Sequence, residues 1–250
     1  MSSDAKKRRA AARAKEKALG DEGPRRLPLV DTPARAAYRT RVGQLTEGIA
    51  RDAMLPVAIG AAASRTAQET LDGAFARAGA KTACAKGCSY CCHVYVSVTV
   101  AEVAILIEYL RRSASSDELA ALADRLRANA EAAKGTTPES YPAVPCAFLK
   151  DGACIAYNAR PIACRGHHSF SVDACRNAFE GGTDGIPNAV PILELRTQLG
   201  IGYQDVLHMR ELDAGAYELQ QLAKLVLEDA TAVRRSVEGE AGVFESARRI

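Results

Sequence analysis

Four cysteines fall within nine residues, Cys84-Ala-Lys-Gly-Cys88-Ser-Tyr-Cys91-Cys92, and no other feature restricts the chain as tightly. Free cysteine is usually a scattered small hydrophobe, so core packing is a poor explanation for such a run. Gaps of three and two residues let thiolates from one short loop converge on an ion, as they do in zinc and iron–sulfur sites. Gly87 would let the backbone turn sharply beneath that ion.

A second set follows at Cys146, Cys154, Cys164 and Cys175, with seven, nine and ten residues between its members. These spacings say little alone. The stretch from Cys146 to Ile155, however, reads as a small β-hairpin with Asp151-Gly152 as its turn, which brings Cys146 and Cys154 together. Arg160 and Arg165 would offset the charge of grouped thiolates. The candidate metal ligands are therefore Cys84, Cys88, Cys91, Cys92, Cys146, Cys154, Cys164 and Cys175. His93, His167 and His168 are secondary candidates for a mixed site; His208, in a stretch without cysteines, is assigned no role. Adjacent side chains usually diverge, so Cys91 and Cys92 point to two metals, a polynuclear cluster, or one free thiol. Eight thiols suffice for two four-thiolate sites or for one with spare thiols.

The remainder of the chain reads as helical. It contains no Trp and only 5% aromatic residues, so its core must come from Ala, Leu, Val and Ile, a mixture that favours helix. Helices are expected near Ala34–Arg51 and Pro56–Arg77, with Gly79 as a stop. Thr99 and Glu102 match a capping box, after which Val100, Val103, Ala104, Ile107 and Leu110 share one face. A helix over Ser116–Ala133 carries a stripe of Leu119, Leu122, Leu126, Ala130 and Ala133. Later come a helical turn over Tyr157–Cys164 and helices over Asp173–Glu180, Pro191–Leu199 and Ala214–Val237. The last of these has Leu222, Leu225, Val226, Ala230 and Val233 as its buried stripe. No internal repeat and no strand–helix alternation is present. The fold class expected is mainly α: one helical domain over residues 27–250 with a compact cysteine-rich metal-binding segment, residues 81–180, containing the hairpin.

Residues 1–26 hold nine Lys/Arg and four acids, a charge of +5 that leaves −2 for the rest. This segment reads as a basic, disordered tail. The folded body has no basic excess to attract nucleic acid, so only the tail is a candidate for that partner. The start lacks the apolar stretch of an export signal, and the longest apolar run, Val98 to Leu110, is interrupted by Glu102 and Glu108. The expected location is the cytoplasm, with no membrane partner, where cysteines serve metals or redox chemistry more often than disulfides.

The cysteine motifs resemble the YkgJ-type family, also described as the CxxCxxCC or zinc- or iron-chelating domain. The matching elements are Cys84, Cys88 and Cys91-Cys92; the helix opening at Thr99-Val-Ala-Glu102; Cys146-Ala-Phe-Leu; Gly152-Ala-Cys154-Ile-Ala-Tyr157; and Arg160-Pro-Ile-Ala-Cys164-Arg165. They cover about residues 81–180. Ala147 departs from the pattern, in which Pro commonly follows the Cys. The resemblance implies a metal site more than an activity. A relative, the flagellin lysine methylase, is similar in its cysteine motif, which makes a [4Fe–4S] iron–sulfur cluster a candidate beside Zn. The ligand pool so implied is Cys84, Cys88, Cys91 or Cys92, Cys146, Cys154 and Cys164.

Three functions fit these residues: a thiolate metal-binding protein without catalysis; an iron–sulfur-dependent enzyme such as a protein methylase or redox enzyme; and a thiol redox sensor using Cys92 or Cys175. No dinucleotide fingerprint, phosphate loop, H-E-x-x-H or Ser-centred elbow narrows the choice.

Overall fold

A computed structural model describes residues 31–50, 52, 54–79, 81–85, 87–182 and 184–247. The basic segment 1–26 lies outside the described residues. Among the described residues, nine α-helices make the chain mainly helical: α1 (Pro33–Leu45), α2 (Leu55–Arg77), α3 (Val100–Ser113), α4 (Ser116–Ala132), α5 (Ile162–Arg165), α6 (Val172–Phe179), α7 (Val190–Met209), α8 (Leu219–Glu228) and α9 (Ala232–Val237). Two small antiparallel pairs accompany them. Strand β1 (Ser97–Val98) pairs with β4 (Tyr217–Glu218), and β2 (Leu149–Lys150) with β3 (Ala153–Cys154).

Local sequence explains the clearest elements. Thr99 Oγ1 accepts from Glu102 N–H while the Glu102 carboxylate accepts from Thr99 N–H, a closed capping box at the start of α3. Ser115 and Glu118 form a second one at α4. In α3, Val100, Val103, Ala104, Ile107 and Leu110 are all buried, and in α4 so are Leu122, Leu126 and Ala130, with its C-cap Ala133 buried and Leu119 packed at the edge. The hairpin forms with Leu149 opposite Cys154, and Asp151 and Gly152 both adopt positive φ, as a two-residue turn of the I′ type requires.

The helices pack into two adjoining cores. One joins α3, α4, α8 and the hairpin around Phe148, Tyr217 and Phe244; the other joins α1, α2, α5 and α7 around Tyr38, Ile59, Leu71 and Tyr203. Helices α2 and α3 are in close contact at Gly60, where an added Cβ would come 2.5 Å from Ala101 O and 3.1 Å from Ile105 Cγ2. Gly60→Ala should therefore destabilise the chain by about 1–3 kcal/mol through forced separation of the helices. An unchanged urea midpoint would contradict that contact. Across α1 and α7, Asp205 accepts two bonds from Arg35 and a third from Arg39.

Four boundaries differ from the sequence expectations. Helix α1 stops at Leu45, not Arg51, because Thr46 turns its side chain back onto Val42 O and Gly48 has positive φ. The turn expected over Tyr157–Cys164 is divided: Pro161 holds Arg160 extended, separating a short 3₁₀ turn at Tyr157–Ala159 from α5. Helix α7 runs ten residues past Leu199. Gly200 and Gly202 do not end it, and Gly202 is where Tyr38 of α1 packs onto it. The helix expected over Ala214–Val237 is broken. Residues 217 and 218 pair with β1, and Asp229 accepts from Thr231 N–H and Oγ1–H, a local turn that competes with helix. Ala230 is consequently exposed, whereas Leu222 and Val226 remain buried. Among the described residues, no helix is long and apolar enough to cross a membrane.

Candidate metal centre

Backbone pairing, more than side-chain contact, brings the two cysteine sets together. Cys146 N–H donates to Cys92 O at 2.7 Å, joining the end of the first set to the start of the second. The segment carrying Cys146 is clamped from behind. Gln220 Oε1 accepts from Ala147 N–H at 2.8 Å and from Asn129 Nδ2 at 2.5 Å, and Asn129 also reaches Pro145 O. The hairpin then carries Cys154 back past this segment. At the other end, Ala83 N–H donates to Ser169 O and Ser169 N–H to Cys84 Sγ, tying Cys84 to the segment before α6. Gly87 turns between Cys84 and Cys88 at φ +98°, the backbone bend its position requires.

The result is a cavity of about 560 Å³ lined by Cys88, Cys91, Cys92, Cys146, Cys154 and Cys164. Cys91 and Cys92 both line it despite being neighbours. They sit in a 3₁₀ turn, Tyr90–His93, and Cys92 leaves helical geometry (φ −85°, ψ 18°). Cys84 and Cys175 do not line the cavity.

Electrostatic coupling divides the thiols differently from their sequence order. Cys84 is raised by burial and by repulsion from Cys88, Cys91 and Cys175, so Cys175 groups with the first set. Burial pushes Cys164 up to about 12, with Cys91 and Cys154 adding to the rise. Burial likewise raises Cys146, which feels Cys164 and Cys154, and Cys154, which feels Cys91. A hydrogen bond with Cys92 and burial raise Cys91. Cys91 thus stands between a group with Cys84, Cys88 and Cys175 and a group with Cys146, Cys154 and Cys164.

Both arginines expected to offset thiolates face them, Arg160 from the cavity wall and Arg165 through Cys164. Arg160 lines the cavity and lowers Cys91, Cys154 and Cys164, with its guanidinium 3.5 Å above the Tyr157 ring. Arg165 donates to Arg160 O, Asn158 O and Gln68 Oε1, stapling the loop before α5, and Cys164 acts favourably on its charge. The histidines separate as well. His168 is buried with both nitrogens engaged: Nε2 accepts from Ala189 N–H, so Nδ1–H donates to Gly166 O, and no nitrogen remains for a metal. His93 packs on Phe179 away from the cavity, with Nδ1 bound to Ser89 O. His167 alone lines the cavity; burial lowers its pKa, and Arg196 adds to the effect.

Glu102 supports the cavity wall in a way its capping motif did not foretell. Its Oε1 accepts from Ile162 N–H at 2.9 Å while Oε2 serves Thr99, so one buried carboxylate fixes both the start of α3 and the start of α5, which bears Cys164. Sequence reasoning also missed Arg196, Tyr203 and Glu218, all of which line the cavity. The one available signal was helical spacing: Arg196, Gly200, Tyr203 and Gln204 fall on one face of α7, visible only once that helix is extended past Gly200.

Among the described residues, no three His, Cys, Asp or Glu side chains are spaced to hold one ion. The donor chemistry nevertheless suits a soft metal, since thiols dominate the set and their mutual repulsion is what a bound cation would relieve. No family model, curated protein or solved structure matches the chain.

Proposed function

We propose that the chain is a cysteine-thiolate metal-binding protein of the YkgJ type, holding an iron–sulfur cluster or zinc. One observation carries this reading: six thiols from two sets some fifty residues apart in sequence face a single cavity. Thiols whose pKa values are raised stay protonated at neutral pH, so metal binding must displace their protons and should weaken as pH falls. The thiol-bearing loops must draw in around the ion, which couples binding to folding, at up to ~10 kcal/mol for a structural zinc.

Thiol counting under native conditions tests the proposal. At least about four thiols, the number a tetrahedral site requires, should resist a thiol reagent in metal-loaded protein. A chelator should expose them and lower the melting temperature. Eight thiols reacting alike before and after chelation would refute the reading.

A further inference from the structure

Sulfur connects the cavity wall to the protein surface. Of the eight cysteines, all among the described residues, only Cys84 is exposed; the other seven are half-buried. Cys84 and Cys175 lie outside the cavity, while Cys88 and Cys91 belong to its wall. These four form one neighbourhood, assembled by contacts around α6. Ser169 N–H donates to Cys84 Sγ at 3.3 Å, and Ser169 Oγ bonds to both the N–H and the carbonyl of Ser171, the N-cap of α6. Cys175 follows one turn later, its N–H donating to Ser171 O. It shares a helix face with Phe179, four residues on. The Phe179 ring centroid lies 5.8 Å from that of Tyr90 and 4.7 Å from that of His93, and Arg176 Nε donates to Tyr90 Oη beside them. That face of α6 therefore meets the 3₁₀ turn that carries Cys91. Cys84 in turn feels the charge of Cys88, Cys91 and Cys175, as a neighbour of all three does.

A thiophilic cation arriving from solvent meets Cys84 first. Fewer thiolates than the full tetrahedral set suffice to hold it in passing. Cys91 belongs to both groups, coupled outward to Cys84 and inward to Cys154 and Cys164. Each handover makes one sulfur–metal bond as another breaks. The incoming thiol gives up its proton and the departing thiolate takes one, so charge balances at every step.

We propose that Cys84 and Cys175 form an outer landing point for a soft divalent cation, which then passes by thiolate exchange over Cys88 and Cys91 to the thiols of the cavity. The inference rests on the metal reading and adds a route to it.

Stopped-flow mixing of the reduced, metal-free full chain with Cd²⁺ tests it, at about half an equivalent so that the cavity thiols can take all of the metal. The ultraviolet cadmium–thiolate band reports entry, and its decay after a chelator is added reports exit. The double variant Cys84→Ser, Cys175→Ser should slow entry about tenfold while reaching the same final band. Entry and exit share one path, so with the final affinity unchanged exit must slow by the same factor. Cys84→Ser alone alters an exposed side chain, so it should keep the parent's melting temperature and still slow both rates severalfold. Parent rates in the double variant would show that the cation enters directly through the cavity mouth, and would overturn the proposal. Slower entry with faster exit, the mark of weakened binding, would overturn it too. A parent chain that gives no cadmium–thiolate band would refute the metal reading and the route together, whereas a loaded parent with unslowed variants would refute the route alone.

Discussion

Cys164→Ser should cut the metal retained by the purified chain about tenfold, whereas Cys175→Ser should leave at least about half of it. The asymmetry follows from placement. Cys164 is half-buried, lines the cavity and couples to Cys91 and Cys154, so its loss removes a donor from the middle of that group. Cys175 lies on α6 outside the cavity and is coupled to Cys84. Elemental analysis of both variants, purified alongside the parent chain, checks the ranking. Equal retention would show that the cavity does not define the binding group, and greater loss in Cys175→Ser would move the centre to the Cys84 side.

Glu102→Ala should destabilise the chain by roughly 3 kcal/mol or more, among the largest effects of any single change away from the cysteines. The alanine would strand the N–H groups of Thr99 and Ile162 in a buried setting and leave a void where the carboxylate sat. Glu102→Gln keeps an oxygen for one of the two and should cost much less, about 1 kcal/mol. Because Glu102 holds the segment that carries Cys164, the alanine variant should also lose metal, and the glutamine variant should largely keep it. Chemical denaturation together with metal content measures both effects. Equal stability of the two variants would mean that the carboxylate does not link α3 to α5.

These two substitutions mark where the sequence was legible and where it was not. Capping boxes, the Asp151-Gly152 turn and the stripe on α3 are local signals, fixed by residues three or four apart, and the structure contains each of them. The end of α7 was not local. The helix expected to end at Leu199 continues through Gly200 and Gly202, and Tyr38 of α1 packs against Gly202, where a side chain would crowd it. The β1–β4 pair joins residues more than a hundred positions apart with two-residue strands, too short to leave an alternating pattern. The thiol residues were legible from their clustering, but their grouping was not. Cys175 joins Cys84 because Ala83 pairs with Ser169, a backbone contact that no cysteine spacing encodes. Tyr203 and Glu218 stayed hidden for a related reason, since a tyrosine in a helix and an acid at a helix start look ordinary until the fold sets both in one cavity wall.

Metal content and the visible spectrum of chain purified without oxygen test the central claim most directly. Thiolate binding in the cavity predicts at least about one equivalent of metal per chain, either iron with broad absorption near ~400 nm or zinc with no visible band. Fully reduced protein carrying less than about a tenth of an equivalent of any metal, and gaining none when iron with sulfide or zinc is supplied, would contradict it.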